Sequence, residues 1–214
     1  LNYSTLVQAI KDYTENTETT FVSQIDQFIA QAERRIVLDV DLPYFNKNAT
    51  GSMSDGNSYL AKPNDFLSTK SLATISSGNE YTYLLPKDVS FMREAYPDTD
   101  VKGQPKYYGH FDNLFFILTP VPDANYVAEL HYKYSPTGLS SSNTTTWLGD
   151  NADPALLYGC LVEAYTFMKG EEDLLKLYIG RYGAALEDVK RLGGYLDRRD
   201  SYRNGEPAVT AGTN

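Results

Sequence analysis

The sequence predicts an α+β fold: a four-helix bundle built from N- and C-terminal helix pairs, a small antiparallel β-domain inserted between them, and an extended C-terminal arm. Three observations lead there. Apolar residues recur at spacings of three and four at both ends of the chain, as on a buried helix face. In the middle they alternate or run together between turn residues, as in strands. Residues 200–214 show neither pattern. The expected divisions are 1–45 for the first helix pair, 46–140 for the β-domain, 141–199 for the second pair and 200–214 for the arm.

The first helix is expected over 5–14, where Leu6, Val7, Ile10 and Tyr13 share a face and Ser4 is available as N-cap. The second is expected over 22–40. Val22, Ile25, Ile29, Ala32 and Ile36 trace its stripe, Phe28 widens it, and Pro43 lies beyond its end.

Strands are confined to about 46–136. Asp55-Gly56 reads as a hairpin turn between "NATGSM" and "NSYLA". "STKSLATI" at 68–75 and "YTYLL" at 81–85 read as strands, with a short helix over 87–96 stopped by Pro97. "NLFFIL" at 113–118 is apolar on both faces, so it reads as a central strand. In "YVAELHYKY" at 126–134, Tyr126, Ala128, Leu130, Tyr132 and Tyr134 share one face, and Glu129, His131 and Lys133 the other.

The third helix is expected over 153–169, with Asp153 as N-cap, Pro154 at the first helical position and Gly170 closing it. It is apolar on nearly every side, as a central helix must be. The fourth is expected over 171–192, with acids at its start and basic residues after its end, in the sense the helix dipole favours. Gly180, Gly183 and the Gly193-Gly194 pair each cost a helix about 1 kcal/mol against Ala, which points to close helix approach or a kink. Residues 200–214 hold few apolar side chains, and Gly205-Glu206-Pro207 prevents the helix from continuing into them.

Composition limits function. The chain of 214 residues carries 28 acidic and 19 basic side chains, net −9, a balance that argues against gripping phosphate backbones or an anionic membrane. Its 18 Tyr residues fit either a large contact surface or an aromatic β-core. One cysteine, Cys160, permits no internal disulfide and lies in an apolar run, as a core thiol does. No signal peptide or membrane span is visible, so assembly in a cytoplasm is expected. The sequence opens on Leu1 rather than Met, so one or more residues are expected upstream.

No catalytic set emerges. His131 lies on the polar face of a strand and His110 beside a turn, and neither neighbours a nucleophile in sequence. One Cys and two separated His offer no zinc cluster. The acidic pairs at 39–41 and 98–100 lack the glycine and distal glutamate of a calcium loop, and no phosphate-binding glycine loop is present. No cofactor is expected. Glu163 is the exception among the charges. In so apolar a helix it needs a cation, and Arg34, Arg35 and Arg181 are the candidates for an ion pair tying the bundle together.

Residues 5–36 resemble the opening of adaptor, or head-to-tail connector, proteins of tailed bacteriophages. Residues 145–193 resemble their C-terminal part, and "KPNDFLSTKSL" at 62–72 fits between. The resemblance implies a structural virion protein at the head–tail junction, not an enzyme. It further implies a ring of the chain with itself, typically of twelve copies, bound beneath the portal protein and above the tail nozzle protein. DNA would pass through its centre without specific binding, and no membrane is involved. It also implies a C-terminal arm on the portal, which the tail after Arg199 would supply. From that tail's own few apolar residues, Tyr202 and Val209 are the expected anchors, with Arg203 pairing an acid. A tail-associated carbohydrate-binding module is the alternative. It would account for the tyrosines and predicts exposed aromatic residues on one sheet face. A cell-wall hydrolase would instead need a cleft with two carboxylates.

Overall fold

A computed structural model describes residues 1–76 and 78–197. In chain order the elements are α1 (Tyr3–Thr14), α2 (Thr19–Val22), α3 (Ile25–Asp39), β1 (Asn46–Met53), β2 (Tyr59–Ala61), β3 (Phe66–Ile75), β4 (Tyr81–Tyr83) and β5 (Leu85–Pro86). They continue with α4 (Val89–Ala95), β6 (Tyr107–His110), β7 (Phe115–Thr119), β8 (Tyr126–Tyr134), α5 (Trp147–Asn151), α6 (Asp153–Met168) and α7 (Glu172–Asp197). The chain divides into a helical unit, Leu1–Pro43 with the residues from Thr137 onward, and a β unit, Tyr44–Pro136.

This corrects the expected fold class. The β unit is not a small insert in a four-helix bundle. It holds two four-stranded sheets, in the orders β1-β8-β3-β4 and β2-β7-β6-β5, closed over a core of their own. Met53, Leu72, Leu130 and Tyr132 from the first sheet meet Leu60, Tyr108, Phe116 and Leu118 from the second. The helices, for their part, gather around α6, which packs against α1, α3, α5 and α7. A helix apolar on nearly all sides can bury against several neighbours at once, so it becomes a hub instead of one corner of a square.

Local chemistry explains most boundaries. α1 starts two residues earlier than expected because Asn2, not Ser4, caps it: the Asn2 side chain accepts the Thr5 N–H, and the Thr5 hydroxyl accepts the Asn2 N–H. Residues 22–40 do not form one helix. The chain turns at Ser23-Gln24, between α2 and α3. Asp153 is the first residue of α6, and Ala152 occupies the cap. Gly159 is where α6 comes close to two neighbours, since a Cβ there would stand 3.1 Å from Ala32 Cβ and 3.3 Å from the Tyr182 ring. At Gly180 and Gly183 a Cβ would meet nothing within 4 Å, so neither glycine serves a close approach within the described residues.

In the β unit, Asp55-Gly56 is a turn, with Gly56 at φ 73°, but it does not make a hairpin. β1 pairs with β8 and β2 with β7, so the turn carries the chain from one sheet to the other. The expected strand 81–85 is likewise split, with β4 beside β3 and β5 running parallel to β6. Asp65 fastens the first sheet: it accepts from the Lys47 ammonium at 2.6 Å and from the Tyr132 hydroxyl at 2.8 Å. Burial, then the bond to Asp65, pushes the Tyr132 hydroxyl up to about 12.

Candidate functional site

The helical unit carries the charges singled out in the sequence. The Arg35 guanidinium donates to Glu163 Oε1, joining α3 to α6. The Arg35 side chain is 42% exposed and that of Glu163 16%, and a pair this open contributes about 0–1 kcal/mol. Arg34 is exposed. Arg181 lies instead on Tyr158, donating to its hydroxyl at 2.9 Å. Tyr202, Arg203 and Val209 lie outside the described residues.

Among the described residues the buried acid of this unit is Glu33, 7% exposed, which the sequence reading passed over. It stands four residues after Ile29 and three before Ile36, within the apolar stripe of α3, and that position was the available signal. Its carboxylate accepts the Leu139 N–H at 2.9 Å and the Thr146 hydroxyl at 3.4 Å. The segment that re-enters the helical unit after β8 is thereby tied to α3. Gly138 lies against the same carboxylate, where a Cβ would stand 2.7 Å from Oε2. Burial raises the Glu33 carboxyl above its ordinary range, against the two hydrogen bonds.

Cys160 is fully buried, and burial pushes its thiol far up, away from the nucleophilic thiolate. The His110 ring lies among Phe66, Phe116 and Tyr108, and partial burial followed by the Lys62 charge lowers its pKa. Asp98 accepts the Asp100 N–H at 2.9 Å, a turn inside the second acidic pair. Among the described residues no group of three His, Cys, Asp or Glu side chains could hold a metal ion, and no helix is long and apolar enough to cross a membrane.

What the β unit does present is aromatic surface. Tyr59, Phe111 and Phe115 are 40%, 42% and 37% exposed, with Tyr59 centred 5.0 Å from Phe111 and 6.4 Å from Phe115. Leu114 beside them is 60% exposed. Tyr108 and Tyr132 lie in the β-core, while Tyr59, Tyr81 and Tyr83 are exposed.

The chain belongs to the SU10 adaptor protein family, whose family model matches residues 1–210. That match is consistent with a phage head–tail adaptor, a structural class rather than an enzymatic one. No curated protein matches the chain.

Proposed function

We propose that this protein is a ring-forming adaptor that joins the portal to the tail nozzle and lines part of the channel through which DNA leaves the head. The family match over residues 1–210 carries this reading. In this reading several copies stand side by side beneath the portal, and residues 200–214 reach onto it through Tyr202, Arg203 and Val209.

The net charge of −9 suits such a conduit. A moving duplex would be held back by a belt of Lys and Arg, because each neutralised phosphate adds to affinity. Assembled rings are therefore expected to bind duplex DNA weakly. The slope of log K against log salt should be shallow, well short of the roughly −5 to −9 produced by six to ten phosphate contacts. Fluorescence anisotropy on a labelled duplex between low and physiological salt measures it. A steep slope would contradict the proposed channel.

A further inference from the structure

The two four-stranded sheets of the β unit have four edge strands, and three of them are blunted. β2 and β4 span three residues each. β5 spans two and ends in Pro86, which has no N–H to offer. The fourth edge is β1, at the end of the order β1-β8-β3-β4, and it runs for eight residues. Its register with β8 is unbroken from Asn46↔Lys133 to Met53↔Tyr126, so no bulge twists the edge away.

Among the described residues, no backbone group of residues 47–53 bonds outside the β1–β8 ladder. Alternate residues of a strand turn their N–H and C=O groups to opposite sides, so about half of these groups face outward unpaired. Lys47, Asn48, Thr50, Gly51 and Ser52 are exposed. Lysine commonly guards an open edge, but Lys47 is turned back onto its own sheet. Its Nζ stands 2.6 Å from Asp65 and 4.1 Å from the centre of the Tyr134 ring. From Asn48 to Met53 there is no charge and no proline. Ala49, Gly51 and Met53 lie on the core side, where a Cβ on Gly51 would stand 3.8 Å from Leu60 Cδ1. Asn48, Thr50 and Ser52 take the other face.

We propose that β1 receives an extended segment of a different protein as a fifth strand of its sheet. The edge itself selects that class of occupant. Donors and acceptors repeating at strand spacing are matched by another extended backbone. A helix pairs its own backbone groups internally, and a saccharide lacks the repeat. The segment carries apolar side chains at alternate positions, beside Ala49 and Gly51 over the core, and polar ones beside Asn48, Thr50 and Ser52. A second copy of this chain is a poor source. Its other edges are two or three residues long. β1 against β1 would set Asn, Ala, Thr, Gly and Ser side chains against each other, which supply little of the cross-strand contact that stabilises a strand pair. The inference goes beyond the adaptor reading and does not depend on it.

The test uses the full chain and a fluorescent peptide of alternating threonine and valine, as long as β1, with a benzophenone at one end. Saturable binding is the expected result, with the photo-adduct mapping to residues 46–53. Affinity should change less than about threefold between low and physiological salt, since the edge is uncharged. Two further peptides carry N-methyl groups on alternate residues, one set or the other. Their affinities should differ by about tenfold or more, because one set turns toward β1 and the other toward water. No binding at millimolar peptide, an adduct at residues 81–86 or in the helical unit, or equal affinity of all three peptides would each overturn the proposal. So would stronger binding by a peptide of residues 200–214, or chain-to-chain adducts from p-benzoylphenylalanine at position 50. Either would make this chain its own partner.

Discussion

A chain ending at Arg199 is expected to lose about a hundredfold in affinity for the portal, with its melting temperature within a few degrees of the full chain. The two halves of that result have separate causes. Residues 200–214 contain few apolar side chains, chiefly Tyr202, Ala208, Val209 and Ala211. Ordering each residue costs about 1–2 kcal/mol of backbone entropy, more than these side chains can offset alone. Removing residues 200–214 is therefore expected to leave the melting temperature nearly unchanged. In the proposed docking Tyr202 and Val209 would act as anchors, and about 1.4 kcal/mol from each would give the hundredfold. Surface plasmon resonance on immobilised portal, with a thermal melt of the same samples, measures both halves. Unchanged binding would remove the arm from the docking account, and a collapsed melt would assign it to the fold.

Glu33→Ala is expected to destabilise the helical unit by about 3 kcal/mol. It leaves the buried Leu139 N–H without an acceptor, and an unsatisfied buried donor costs about 1–3 kcal/mol before the lost packing is added. Glu33→Gln keeps an acceptor for Leu139 and is expected to stay within about 1 kcal/mol of wild type. The two variants separate the hydrogen bond from the charge, and pH separates them further. Because burial raises the Glu33 carboxyl, the folded protein holds that proton to higher pH than the unfolded chain, whose carboxyl has an ordinary value of 4.5. Across the window between the two values the folded state binds more protons, so this group's contribution falls as pH rises. Glu33→Gln should remove that fall. Urea denaturation of the three proteins at several pH values from the ordinary carboxylate range to neutrality checks it. Equal stability of the alanine variant and wild type would show that the 137–146 segment is not held by Glu33.

Periodicity made α1, β8, α6 and α7 legible, because each buries a stripe or face long enough to repeat. It could not show the break between α2 and α3, since the apolar stripe continues across Ser23-Gln24 while the backbone turns. α5 spans one turn and depends on Thr146, whose side chain caps it by accepting the Gly149 N–H. β1, "NKNATGSM", buries only Met53 and carries no alternation at all. It is a strand because β8 pairs with it. The turn at Asp55-Gly56 and the run at 81–85 obey local rules, but local rules do not say which sheet the next strand joins. The fold class went wrong at that step. Assigning both halves of each run to one sheet shrinks two four-stranded sheets into one small insert.

Charged residues show the same division. Glu163 drew notice because its helix is apolar, yet it lies at the edge of α6 beside a partly exposed Arg35. Glu33 was hidden by its neighbours Arg34 and Arg35, which make the stretch look like a solvated face.

The central claim is that copies of this chain assemble into a closed ring on the portal. The mass and rotational symmetry of the complex formed when the chain is mixed with its portal test it most directly. Native mass spectrometry and electron cryo-microscopy of the same sample give both. The account predicts one closed ring per portal, coaxial with it, with a single whole-number copy count, twelve if the resemblance holds to that detail. Isolated copies scattered on the portal, an open chain of variable length, or no complex would contradict it.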